Sequence, residues 1–212
     1  MDPSTAAAGS GAGTRTGPAS PLRTLLLLVV VAQVLFWGAW WLGYTLLPEG
    51  VLRNTSGAAV VPLERLGGVA RALAVLAWNG AAATLFVACA NLLRVRRLPL
   101  GTIPPLAYWT LYGLLLGTNS FAAPAPERLA PSLAVLLNRA GVLELNAYLL
   151  VAAATAGRAR WEQQAWWGGA TRRVQPEPLG PAGWAMLAAA ALLLIAGAVR
   201  ETLMWCAAGG GC

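Results

Sequence analysis

The sequence predicts an all-α polytopic membrane protein, a bundle of five transmembrane helices with the N-terminus cytoplasmic and the C-terminus outside. Three observations carry that prediction. The chain of 212 residues is 58% hydrophobic and 11% charged, and its apolar residues gather in runs longer than a soluble core uses. Its fifteen cationic side chains are all arginine, giving a net charge of +7, and they divide unequally between the two sides of the runs. It has ten tryptophans, most of them near run ends, where an amphipathic ring settles at a bilayer surface.

Residues 1–20 are small and polar, rich in Gly, Pro, Ser and Thr, with nothing to bury, and are expected to be a disordered tail. A five-helix domain follows over 21–207, and 208–212 form a short C-terminal tail. The first run, about Leu25 to Leu47, exceeds the ~20 residues that cross hydrocarbon. It is too long for a signal peptide and lacks a small-residue cleavage site. Further runs fall at about Gly68 to Leu93, Leu106 to Ala123, Leu133 to Gly157 and Ala182 to Cys206. The third opens on Pro104 and Pro105 and has a short apolar part, so a re-entrant segment is its alternative.

Loop charge orients the runs. With five crossings Arg15, Arg23, Arg94, Arg96, Arg97, Arg158, Arg160, Arg172 and Arg173 share one side, against Arg53, Arg65, Arg71 and Arg128 on the other. The richer side faces the cytoplasm. Tryptophans 161, 166 and 167 alternate with arginines in the last long loop, which suits ordinary positive-inside anchoring or a loop lying in the headgroup layer. No helical-hairpin repeat and no inverted repeat is apparent.

Composition also excludes chemistry. The chain contains no histidine, which removes a histidine base, metal ligand or pH switch. Cys89, Cys206 and Cys212 lack metal-ligand spacing; Cys206 and Cys212 can bridge if the C-terminus faces an oxidising compartment. No catalytic constellation, cofactor site or metal site is predicted. Arginines in short loops do not make the continuous basic face that nucleic acid requires, so the expected partners are the lipid bilayer and other membrane or envelope proteins, with a homo-oligomer left open.

The chemistry-bearing residues lie inside the runs. Glu144 stands mid-run, where an unpartnered carboxylate costs a few kcal/mol, on a helical face with Ala140, Gly141, Ala147 and Tyr148. Glu201 and Asn79 occupy similar small-residue faces, which predicts one shared helix interface. Arg139 cannot reach Glu144 within its own helix; depth matching pairs Arg139 with Glu201 and brings Glu144 to Asn79, Tyr112 or Arg200. Asn146 completes this intramembrane polar cluster, while Gly113 and Gly117 are predicted to serve helix packing. The alternatives for the cluster are packing glue and a working site. The sequon at Asn54 carries no weight.

The segment GVLEL at Gly141 to Leu145 resembles the HGxxEL signature of the stage II sporulation protein M family. Three other pieces follow in the family's order: Asn79 in AWNGAAATL, YGLLLG at Tyr112 to Gly117 against NGxxxG, and AGAVRETLMW with Glu201 near the end. The resemblance covers about Leu25 to Trp205. Ala140 replaces the family histidine and Tyr112 its asparagine, so a proton-linked role for that histidine is absent. The resemblance implies a multi-pass protein of the bacterial plasma membrane without catalysis of its own. In spore formers the namesake gathers cell-wall hydrolases during engulfment, and relatives occur where no spores are made. The expected function is therefore a scaffold that recruits envelope proteins, with a transport or permease subunit as the alternative. An intramembrane hydrolase is disfavoured, since neither glutamate has a nucleophile beside it.

Overall fold

A computed structural model of the chain describes residues 20–53, 66–121 and 125–207. The predicted tails and the Cys206 to Cys212 bridge extend outside these residues, as does the sequon. The chain is mostly helical. Helix α1 is Pro21–Leu46, α2 Gly68–Ala82, α3 Ile103–Gly117, α4 Leu133–Leu137, α5 Gly141–Thr155 and α6 Pro181–Ala207. Proline opens α1 and α6, where its missing N–H is no loss; the Ser20 hydroxyl accepts from Arg23 N at 3.2 Å to cap α1. After Ala82 the second helix widens into a π turn, Ala83–Ala88, and closes as a 3-10 turn, Ala90–Leu92.

Three helices, Pro21–Leu46, Gly68–Leu92 and Pro181–Ala207, are long and apolar enough to cross a membrane. Most of their surface is unpacked: Val34 and Leu192 are each 68% exposed, and only 28% of the apolar window of α1 is buried. Such apolar area facing water would be an association surface; facing acyl chains it is solvated. The third and fourth runs differ from expectation. Helices α3 and α5 have 15 residues each, about 22 Å of rise against a hydrocarbon core of ~30 Å. The fourth run, read as continuous, breaks at Asn138–Ala140 between α4 and α5. There the last carbonyls of α4 accept from Asn138 N and Arg139 N, and the Arg200 guanidinium donates to Leu137 O at 2.7 Å. The break frees carbonyls at the end of α4, and Arg200 satisfies that of Leu137.

Contacts fix the helix directions. Positions 113 and 117 of α3 lie against Phe36 to Tyr44 of α1 in ascending order, so α3 runs parallel to α1. Asn79 meets Tyr148 and Asn91 meets Ala152 and Thr155, so α2 and α5 run together. Gly183 lies near Ala154, and Gly197 near Glu144, which sets α6 against α5. Helix α3 thus lies along α1, in the same direction. Phe36, Trp40, Trp109, Leu116 and Leu149 are fully buried at the centre, with the Phe36 and Trp109 rings edge to face at 5.2 Å.

The all-α expectation missed a small sheet at one end. Strands β1 Leu93–Val95, β2 Leu98–Pro99, β3 Trp161–Gln163 and β4 Thr171–Arg173 form four strands in the order β2-β1-β3-β4. Only β1 and β3 are parallel. Glu162 lies opposite Arg94 and Arg172 in register, and its Oε2 accepts from Arg94 at 2.9 Å and from two nitrogens of Arg172 at 2.9 and 3.1 Å. Burial works against the charge on Glu162, but the hydrogen bonds and charges of the two arginines outweigh it and hold the carboxyl below its ordinary value. Its contribution to the sheet is therefore complete above the ordinary glutamate range and is lost as pH falls through the lowered value. Amide exchange in β1 and β3, corrected for intrinsic rates, is expected to be flat from pH 7 to about 5 and to rise only in stronger acid. Glu162→Gln should show faster exchange from pH 7 to about 5 and converge with the wild type in stronger acid; protection that fades already near neutrality would contradict the assignment.

Candidate functional site

Mid-way along the bundle the small side chains of α2 and α5 leave space beside α3, which packs chiefly on α1. The result is a groove of about 340 Å³ lined by Trp78, Asn79 and Ala82 of α2, Tyr108, Leu111, Tyr112 and Leu115 of α3, and Gly141, Glu144, Leu145 and Tyr148 of α5. Every lining residue belongs to a helix and none to an end loop. Trp78 and Leu111 stand exposed at its mouth, at 57% and 41%, so the groove opens sideways.

Its floor is polar. The Tyr148 hydroxyl donates to Asn79 Oδ1 at 2.9 Å, and Glu144 lines the same floor. Glu144 Oε1 is buried and unpartnered among the described residues, an acceptor without its donor in a place where that is costly. Two local features seat the carboxylate. Glu144 lies in the first turn of α5, where the free N–H groups favour negative charge. Across from it Gly197 of α6 has no side chain; a Cβ there would sit 3.0 Å from Glu144 Cγ. Gly141 gives the same clearance to Tyr112, since a Cβ would approach the ring at 2.9 Å.

The predicted residues divide between this floor and its surroundings. Asn79, Tyr112, Gly141 and Glu144 line one groove. Arg139 and Glu201 are a different matter: the Glu201 carboxylate pairs with Arg71, at 3.7 Å, and Arg139 instead lies over the Phe121 ring at 5.7 Å. Depth matching pairs Glu201 with Arg139 and overlooks Arg71, which stands at the start of the second run and is counted there only for orientation. Arg71 lies in the first turn of α2, 7% exposed, stacked 4.1 Å over Trp205. Arg200 turns to the end of α4, and Asn146 donates to Val142 O of its own helix at 2.8 Å, so neither completes the cluster. Arg139, Arg200, Glu144 and Glu201 nonetheless lie within electrostatic range of Tyr112. Gly113 and Gly117 face α1, where any Cβ would meet the backbone of Phe36 and Trp40.

Sequence reasoning missed Tyr148, whose hydroxyl organises Asn79, and Arg128, whose guanidinium bonds the carbonyls of Gly43, Leu47 and Gly117. Tyr148 was legible from its place one helical turn after Glu144. Among the described residues no group of three His, Cys, Asp or Glu side chains could hold a metal. Comparisons with family models, with curated proteins and with solved structures find no match.

Proposed function

We propose that the chain is an integral membrane scaffold of the stage II sporulation protein M kind, crossing the bacterial plasma membrane five times with its N-terminus cytoplasmic and its C-terminus outside. In this reading its groove seats a transmembrane helix of an envelope protein, such as a cell-wall hydrolase or its anchor. The observation that carries the reading is the lateral groove with apolar walls and an unpartnered acceptor, Glu144 Oε1, in its floor. A passing helix fills such walls with side chains and meets the acceptor with one polar donor, the combination that holds helices together in lipid. The arginine-rich sheet at the end of α2 and α5 is consistent with cytoplasmic placement. The short α3 and α5 cross with the 3-10 turns and α4 that extend them.

The test is a photo-crosslinking residue at Leu111 in intact membranes, with one at Val34 as control. Leu111 is expected to capture a protein partner, and Glu144→Leu, which removes the acceptor, to reduce that capture about 3- to 15-fold without changing capture at Val34. Capture at Leu111 that ignores Glu144→Leu would remove the reading. A transport subunit is the second reading, favoured by the interrupted α4–α5 segment beside a buried carboxylate. It requires solute or proton flux in proteoliposomes that Glu144→Gln abolishes.

A further inference from the structure

The sheet carries two arginines that the fold does not use. The register Arg94↔Pro99 and Val95↔Leu98 leaves Arg96 and Arg97 as the two residues of a tight turn. Arg96 has φ +57°, a left-handed conformation in which its Cβ is crowded, at a cost of about 1 kcal/mol. Two-residue turns favour glycine or asparagine there. Strain of this sort persists where it places a side chain usefully. Both side chains are exposed, and among the described residues neither guanidinium has a hydrogen-bond or ion-pair partner. They line an open recess with Glu162 and Gln164. The carboxylate in that recess is already taken by Arg94 and Arg172, so it neither attracts a cation nor neutralises the turn.

We propose that the Arg96–Arg97 turn, with Gln164 beside it, binds the phosphate of an anionic lipid headgroup. Two planar forks of donors and one amide suit a tetrahedral oxyanion. The lipid source is argued from the neighbours. Trp161, Trp166 and Trp167 on β3 and the following loop are 45%, 49% and 95% exposed, rings that water does not favour and the headgroup layer does. Leu22 and Trp184, at the starts of α1 and α6, are also exposed at 57% and 61%, so the apolar helix surface ends close to this sheet. The inference rests on the membrane placement proposed above and is independent of the partner in the groove.

The full chain in detergent is titrated with phosphatidylglycerol, with phosphatidylcholine, and separately with soluble glycerol phosphate, and retained ligand is read by native mass spectrometry. The test variant is Arg96→Gly with Arg97→Asn, which relieves the turn while removing both charges; Arg173→Gln, exposed on β4 and outside the recess, is the control. Retention of phosphatidylglycerol is expected to fall about tenfold or more in the double variant and to change little in the control. Phosphatidylcholine should be retained weakly by every form. Equal losses in both variants, or none in either, overturn the site. Glycerol phosphate binding as tight as the lipid overturns the lipid assignment and leaves a soluble phosphate as occupant. Resistance of the wild type to alkaline extraction from membranes is measured alongside: a wild-type chain that stays inserted but retains no phosphatidylglycerol defeats this inference alone, whereas extraction defeats the membrane reading.

Discussion

Valine at Gly117 is expected to lower the stability of the helical bundle by about 3 kcal/mol or more, the largest effect of any single substitution proposed. The position has no room: a Cβ would meet the backbone of Trp40 and lie 2.7 Å from Tyr44 N and 3.0 Å from Gly43 C. Backbone cannot rotate aside as a side chain can, so the whole of α3 must withdraw from α1. Gly43 faces the same contact, where an added Cβ would lie 3.3 Å from Gly117 Cα. Without a hydrophobic drive between helices in lipid, close backbone approach is what holds such a pair. The measurement is the midpoint of unfolding in a denaturing detergent, with Gly38→Val as the matched control, because a Cβ at Gly38 meets nothing within 4 Å. Equal midpoints for the two variants would show that the α1–α3 contact does not carry the bundle.

Arg128→Leu is expected to be the second most damaging change, at about 3 kcal/mol. Its Nε donates to Gly117 O at 2.7 Å and its Nη2 to Leu47 O at 2.6 Å and to Gly43 O, with the guanidinium 5.2 Å from the Tyr44 ring. One side chain thereby satisfies the last carbonyls of two parallel helices and places a cation at both their negative ends. Leucine keeps the volume and leaves three acceptors bare. Lysine keeps the charge but cannot reach three carbonyls in two directions, so Arg128→Lys should recover little of the loss in the same detergent titration. Full recovery by lysine would mean that charge alone, without the fork, is what the helix ends require.

Helix positions were readable from the sequence because lipid demands long apolar runs and proline and glycine punctuate them. The first and last helices fall within a few residues of expectation. The break at Asn138 was not readable, since its cause is Arg200, some sixty residues onward and on another helix. Asn79, Tyr112, Gly141 and Glu144 were singled out as polar or small residues in apolar surroundings, and they line one groove. Pairings were harder: Arg71 and Arg139 lie at comparable depths, and choosing between them requires knowing which helix α6 packs on. The sheet escaped notice because its strands have two or three residues each, too few to show a period, and because its stability comes from a carboxylate shared across strands.

The parallel pairing of β1 with β3 has an implication for biogenesis. Arg94 must await Glu162, made 68 residues later, before the hairpin that follows α2 gains its neighbour. Until that glutamate has been made, β1 is joined only to β2, and Arg94 lacks its carboxylate. Docking of β3 then ties the hairpin between the second and third helices to the segment after α5, so this end of the fold is completed late in synthesis.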